Sequence, residues 1–154
     1  MSFDASALLN SNAAGPMATE MTKCPEGEYI FMVIDEDLTN SIRQFTSKKN
    51  NETYTAMRLP CLCQDENVKA ELKREKVIVP YEMFLEFDTN GALSVDGDDN
   101  VALGQLRRAL GMNSGTFSLN MLRGAGPFRG VVVWQADRDN PEVTRAKITR
   151  VSAV

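Results

Sequence analysis

Residues 76–88 most constrain the fold of this chain, because apolar and mixed positions alternate along them. The apolar positions are Val77, Val79, Tyr81, Met83, Leu85 and Phe87. A period of two places alternate side chains on opposite faces of a strand, so we predict a strand with one buried face. Pro80 cannot donate to a ladder and predicts a sheet edge or a bulge there. Asn90-Gly91 then predicts a tight hairpin turn that returns as a short strand over residues 92–95.

One helix is predicted from about Asn100 to Leu110. Leucines at 103, 106 and 110 repeat with helical spacing, and Gly111 follows where a left-handed residue commonly ends a helix. The expected N-cap acceptors are Asp98, Asp99 and Asn100.

The other predicted elements are strands, in segments rich in β-branched and aromatic residues. They cover residues 29–34, 53–63, 129–136 and 142–151. The order is strand, strand, strand pair, helix, strand, strand, which is typical of the oligonucleotide/oligosaccharide-binding (OB) barrel and is shared by some sandwiches and other barrels. We predict a mainly β (α+β) fold: a small antiparallel five- to six-stranded barrel or sandwich with OB-like order. A chain of 154 residues, 43% of them hydrophobic, fits one such domain over residues 27–154.

Residues 1–26 are predicted to form an extended N-terminal arm. They are rich in Ala, Ser, Asn and Met, and no periodic apolar stripe runs through them. A short helical turn is expected from Phe3 to Leu9. The arm's candidate partner-binding residues are Phe3, Leu8 and Leu9.

Charge is distributed unevenly along the chain. Residues 1–99 contain 9 Lys/Arg and 18 Asp/Glu, whereas residues 100–154 contain 8 and 3, for a total of −4. Such asymmetry indicates a charged partner, or copies that pack acidic surface against basic surface. A pI of about 4.9 argues against general affinity for nucleic acid, although a local basic patch can still bind it.

The residue types needed for catalysis are scarce. The chain has no histidine, no phosphate-binding glycine loop and no Gly-x-Ser-x-Gly motif. Cys24, Cys61 and Cys63 lack metal-ligand spacing, and Cys61 and Cys63 are expected on one face of a strand as small buried groups. We predict that the protein is not an enzyme and uses no metal or cofactor.

Basic residues near an aromatic residue form the other candidate site. Arg145 and Lys147 are expected on one face of the last strand, beside a strand with Arg129 and Trp134, so phosphate pairing with base stacking is feasible. The same residues suit a protein interface. A single tryptophan offers little aromatic surface on which bases could stack. The candidate partner-binding residues of the globular part are Lys48, Lys49, Arg129, Trp134, Arg145 and Lys147.

A resemblance to short tailed-bacteriophage proteins rests on four segments: MSFDASALLNS, CPEGEY, NVALGQLRRALGMN and FSLNMLRGAGP. It implies either a head decoration (cement) protein or a barrel-type single-stranded DNA-binding protein. The chain ends Arg150-Val-Ser-Ala-Val and lacks the acidic tail common in the second group.

We expect the first role, a capsid decoration protein in the phage head whose arm lies along neighbouring subunits. Its expected partners are the major capsid protein and neighbouring copies of itself, with single-stranded DNA as the alternative. No membrane partner is expected, because no apolar run approaches about 18 residues. The N-terminus lacks the features of a signal peptide, so we expect the protein to be made in the bacterial host cytoplasm and kept inside the cell.

Overall fold

A computed structural model describes residues 3–154, so residues 1 and 2 of the predicted arm lie outside the described residues. The described chain is mainly β, with six strands and three short helices. The helices are α1 (Ala5–Leu9), α2 (Glu66–Leu72) and α3 (Val101–Ala109). The strands are β1 (Gly27–Val33), β2 (Ile42–Thr46), β3 (Thr53–Cys63), β4 (Ile78–Leu85), β5 (Phe128–Ala136) and β6 (Thr144–Ser152). Single 3-10 turns cover Thr39–Ser41 and Leu119–Leu122.

These strands form one mixed sheet in the order β1-β5-β6-β4-β3-β2. β1 also pairs with β3, which closes part of the sheet into a ring. The pairings are antiparallel except for β4 and β6, which run parallel at Tyr81 and Ile148. This pair departs from the antiparallel arrangement that the sequence predicts. The chain crosses from β4 to the β5–β6 hairpin through α3, and a connection of that length permits parallel pairing.

The apolar positions of residues 76–88 lie in the core up to Leu85, which confirms that part of the prediction. Val77, Val79, Tyr81, Met83 and Leu85 are buried. Phe87 is 46% exposed, because β4 ends before it. The expected return strand over residues 92–95 is reduced to a single bridge between Leu93 and Phe87.

Helix α3 packs against β4 and β6, and the Tyr81 hydroxyl donates to the carbonyl of Ala102 at 2.9 Å. The predicted side-chain N-cap was wrong. Asn100 is left-handed, with φ 57°, and its side chain turns away from the helix. Its amide nitrogen donates to the carbonyls of Glu86 and Ser94, at 2.8 and 2.9 Å, and its oxygen accepts from the Glu86 N–H at 2.9 Å. The residue therefore ties the end of β4 to the following loop.

Strand β2 is missing from the sequence prediction. All five of its residues are exposed, so it shows neither alternation nor a buried run. Its structure depends on pairing with β3, from Thr46 opposite Thr53 to Ile42 opposite Met57. β2 therefore extends the sheet beyond the part that covers the core.

Candidate functional site

Three aromatic rings meet on the outer face of the sheet. Phe45 lies on β2, Tyr54 on β3 and Phe84 on β4. Their ring centroids are 5.7 Å apart for Phe45 and Tyr54, 6.1 Å for Phe45 and Phe84, and 6.2 Å for Tyr54 and Phe84. Phe45 is 41% exposed and Phe84 is 61% exposed. We call these three residues the aromatic cluster.

Strand register brings the cluster together. Phe45 pairs directly with Tyr54, and Phe84 pairs with Ala56, the next residue on the same face of β3. On β4, Met83 and Leu85 point into the core, so Phe84 between them must face outward. Cross-strand neighbours of this kind are close enough for aromatic rings to touch.

The loop between β2 and β3 holds the edge of the cluster. The Tyr54 hydroxyl accepts from the Asn50 amide at 2.7 Å and donates to the Glu52 carboxylate at 3.1 Å. The Ser47 N–H donates to the Glu52 carbonyl at 2.8 Å and closes the loop at its base. Lys48 and Lys49 are exposed at the tip of this loop. The candidate lysines therefore lie at the end of the sheet where the aromatic cluster begins.

Grooves surround the cluster on the described surface. One of about 560 Å³ lies between Phe45, Tyr54, Phe84 and Arg138. A second, of about 580 Å³, shares Phe84 and Arg138 with the first and continues to β6. A third, of about 210 Å³, shares Phe45 with the first groove. The basic side chains lining these grooves are Arg43, Arg58, Arg138, Arg145 and Lys147.

Carboxylates also line the grooves, namely Glu82, Glu86 and Asp137. The lining thus has a net positive charge in a chain whose total charge is −4. A hydrogen bond from Arg145, helped by the backbone N–H of Asp139, holds the pKa of the Asp137 carboxyl below its ordinary value. The neighbouring Asp99 carboxyl raises the pKa of Glu86.

The structure brings together only some of the site residues predicted from the sequence. Arg145 and Lys147 line the same groove as Phe84, as their shared face on β6 predicts. Arg129 and Trp134 lie outside the three grooves. Arg129 is near Glu28 across the β5–β1 pair, at 4.0 Å.

Trp134 instead contacts the segment that precedes β1. Its indole N–H donates to the Cys24 carbonyl at 2.7 Å, and the Lys23 ammonium lies 4.7 Å from the ring centroid. Lys23 also donates to the hydroxyl of Thr144. Trp134 therefore anchors the end of the N-terminal segment to the β5–β6 hairpin.

The N-terminal candidates lie on exposed chain. Residues 3–22 are exposed throughout, and α1 buries no side chain. Phe3, Leu8 and Leu9 are 82%, 59% and 86% exposed.

All three cysteines of the sequence are buried and free. This confirms the prediction for Cys61 and Cys63 on β3. Burial raises the pKa of the Cys61 thiol to about 12, so this group stays protonated at neutral pH. Among residues 3–154, no cluster of three or more His, Cys, Asp or Glu side chains is arranged to hold a metal ion.

Sequence reasoning missed the aromatic cluster and three of the arginines beside it, Arg43, Arg58 and Arg138. One available indication was Phe84, a large aromatic residue on the mixed face of the alternating segment, between Glu82 and Glu86. Another was the pair of aromatic residues, Phe45 and Tyr54, on either side of the lysine-containing loop.

Comparison of the chain with protein-family models, with curated proteins and with solved structures finds no match. In the part of the chain that the structure describes, no helix is long and apolar enough to cross a membrane.

Proposed function

We propose that this protein binds single-stranded DNA on the face that carries the aromatic cluster. The observation behind the proposal is the contact of the exposed rings of Phe45 and Phe84 with the partly buried Tyr54, within grooves lined by basic side chains. Proteins that bind single strands without sequence preference combine these two features, since bases stack on aromatic rings while cations follow the phosphates.

The strand pairings support an OB-type barrel. The ring runs β1-β3-β4-β6-β5 and returns to β1, with α3 between its third and fourth strands in chain order. OB folds bind oligonucleotides on the face of the second and third strands, and with the loops after the first and fourth strands. The corresponding parts here are β3, β4, the loop with Lys48 and Lys49, and the loop with Arg138. Tyr54, Arg58, Phe84 and Arg138 lie on these parts. Phe45 and Arg43 lie on β2, within the connection between the first two strands of the ring, and Arg145 and Lys147 lie on β6, the neighbour of β4.

The chemistry suits an unpaired strand better than a duplex. A ring on a sheet surface can stack with a base only when that base is not already stacked and paired inside a helix. Each stacked base contributes about 1–3 kcal/mol, and each phosphate contact adds a salt-dependent electrostatic contribution. We therefore expect binding that depends weakly on sequence and strongly on salt concentration.

Fluorescence anisotropy of the full chain tests this proposal with labelled oligothymidine of about 20 nucleotides, longer than one OB site requires. The logarithm of the association constant should fall linearly with the logarithm of salt concentration, with a slope of about −0.7 for each phosphate contacted. A duplex of the same length should bind more weakly. Absence of binding at low salt, or equal binding of duplex and single strand, would contradict the proposal.

A capsid decoration role is the second candidate, and the exposed apolar residues Phe3, Leu8 and Leu9 favour it. An extended segment of this kind can bury a large area per residue when it lies along a partner. Mass spectrometry of purified virions separates the two roles. A decoration protein should be abundant in the particle, whereas a DNA-replication protein should be absent.

A further inference from the structure

The groove beside Phe84 contains two arginine–carboxylate pairs. Arg58 Nε lies 3.7 Å from Glu82 Oε1, and Arg145 Nε lies 2.9 Å from Asp137 Oδ2. Both arginine side chains are about half exposed, at 46% and 59%. Water and salt compete with pairs whose side chains are open to solvent, and this applies most to Arg58–Glu82, since Glu82 is 52% exposed and Asp137 only 21%. The guanidinium groups of the two pairs are therefore available to another anion.

The two arginines lie on the strands that flank the strand of Phe84. Arg58 is on β3 and Arg145 is on β6, and β4, which carries Phe84, runs between these strands. A base stacked on Phe84 would thus have a guanidinium on each side. Carboxylates and phosphates offer the same paired oxygen acceptors to a guanidinium, so the two carboxylates occupy positions suited to phosphates.

We infer that Glu82 and Asp137 compete with DNA phosphates for Arg58 and Arg145, and thereby lower the affinity of the site for single-stranded DNA. The inference rests on the proposed function and adds the regulation of its affinity. A bound phosphate replaces a carboxylate that is already in place, and the displaced carboxylate stays nearby and repels the strand. Neutralising either carboxylate should strengthen binding.

Glu82 offers the cleaner test. Its carboxylate contacts Arg58 across the β3–β4 pair, where the two residues are directly opposite. Asp137 also accepts from the backbone N–H of Asp139 through Oδ1, so its substitution perturbs a turn as well. Glu28 is a matched control: it is 55% exposed, lies 4.0 Å from Arg129 on paired strands, and is outside the three grooves.

The experiment measures oligothymidine affinity of the wild type, Glu82→Gln, Glu28→Gln, Arg58→Gln and the double variant Arg58→Gln/Glu82→Gln. A unit charge removed about 4 Å from a phosphate in water corresponds to about fivefold tighter binding. We expect that gain for Glu82→Gln in the wild-type background. Glu28→Gln should bind as the wild type does, and the gain should be absent when Arg58 is already replaced.

An unchanged affinity for Glu82→Gln would overturn the inference while leaving the proposed function intact. An equal gain in both backgrounds would also overturn it, because Glu82 would then act through the general field rather than through Arg58. Failure of the wild type to bind would instead refute the proposed function. Far-UV circular dichroism and thermal unfolding of each variant establish that the fold is retained.

Discussion

The rings of Tyr54 and Phe84 meet edge to face on the outer surface of the sheet, with centroids 6.2 Å apart and planes at 68°. This is a favoured geometry for aromatic pairs, and it contributes about 0.5–1.5 kcal/mol beyond the area it buries. Phe84 nevertheless keeps 61% of its surface exposed. The pair thus presents open aromatic surface at a fixed position, which is what a stacking ligand requires.

Charge reversal at Lys147 should weaken DNA binding. Lys147 lines the groove with Phe84, so Lys147→Glu removes one phosphate contact and adds a repulsive charge. The salt slope measured by anisotropy should become shallower by at least about 0.7. The control is Arg129→Glu, on the neighbouring strand but outside the grooves, which should leave the slope unchanged. Equal effects of the two substitutions would show that the net charge of the basic half matters rather than this groove.

Asn100→Ala should destabilise the protein by at least about 2 kcal/mol, because the partly buried backbone groups of Glu86 and the buried carbonyl of Ser94 lose hydrogen-bond partners. The measurement is the free energy of unfolding in urea. Asn51→Ala is the matched control: Asn51 is also left-handed, at φ 58°, but is exposed. In Asn51→Ala the free energy of unfolding should fall by only about 1 kcal/mol, the cost of holding alanine in the left-handed backbone conformation. Similar losses in both variants would exclude a special contribution from the buried amide.

Tyr81 should make the free energy of unfolding depend on pH in the alkaline range. Burial raises the pKa of Tyr81 to about 12 from its ordinary value of 10. Between these values the unfolded chain has released the proton while the folded chain retains it, so the free energy of unfolding falls as pH rises. Tyr81→Phe lacks this contribution. At neutral pH it should cost about 1–2 kcal/mol through the lost bond to Ala102.

Urea titrations at neutral and alkaline pH test that expectation. The difference between wild type and Tyr81→Phe should shrink as pH rises above about 10. Tyr54→Phe, which alters an exposed hydroxyl, should change the free energy of unfolding by less than about 0.5 kcal/mol. A difference for Tyr81→Phe that stayed constant across this pH range would contradict the assignment.

Strands that face the core were predictable from the sequence, whereas elements held by long-range pairing were not. β3 and β4 carry buried side chains at alternate positions, and that period is visible in the sequence. β2 buries none of its residues and depends on β3 for its structure. Asn100 resembles an N-cap in local sequence, but its partners Glu86 and Ser94 precede the helix and take its side chain away from it.

Two of the five basic residues of the candidate site were predictable from the sequence, whereas its aromatic component was not. Arg145 and Lys147 share a face of β6 because they are two residues apart, a local property. Phe45, Tyr54 and Phe84 come from three strands, and their contact depends on register that a single sequence does not reveal. Trp134, the single tryptophan, was a predicted stacking residue, but its indole N–H donates to the carbonyl of Cys24.

The most direct test of the DNA-binding surface is the affinity of Phe84→Ala for oligothymidine, compared with Phe87→Ala. Phe87 is 46% exposed and lies outside the three grooves, so it controls for loss of an exposed ring. We predict that Phe84→Ala loses about 1–3 kcal/mol of binding free energy, which is about a fivefold to 150-fold loss in affinity, while Phe87→Ala binds as the wild type does. Unchanged affinity for a folded Phe84→Ala variant would contradict binding at the aromatic cluster.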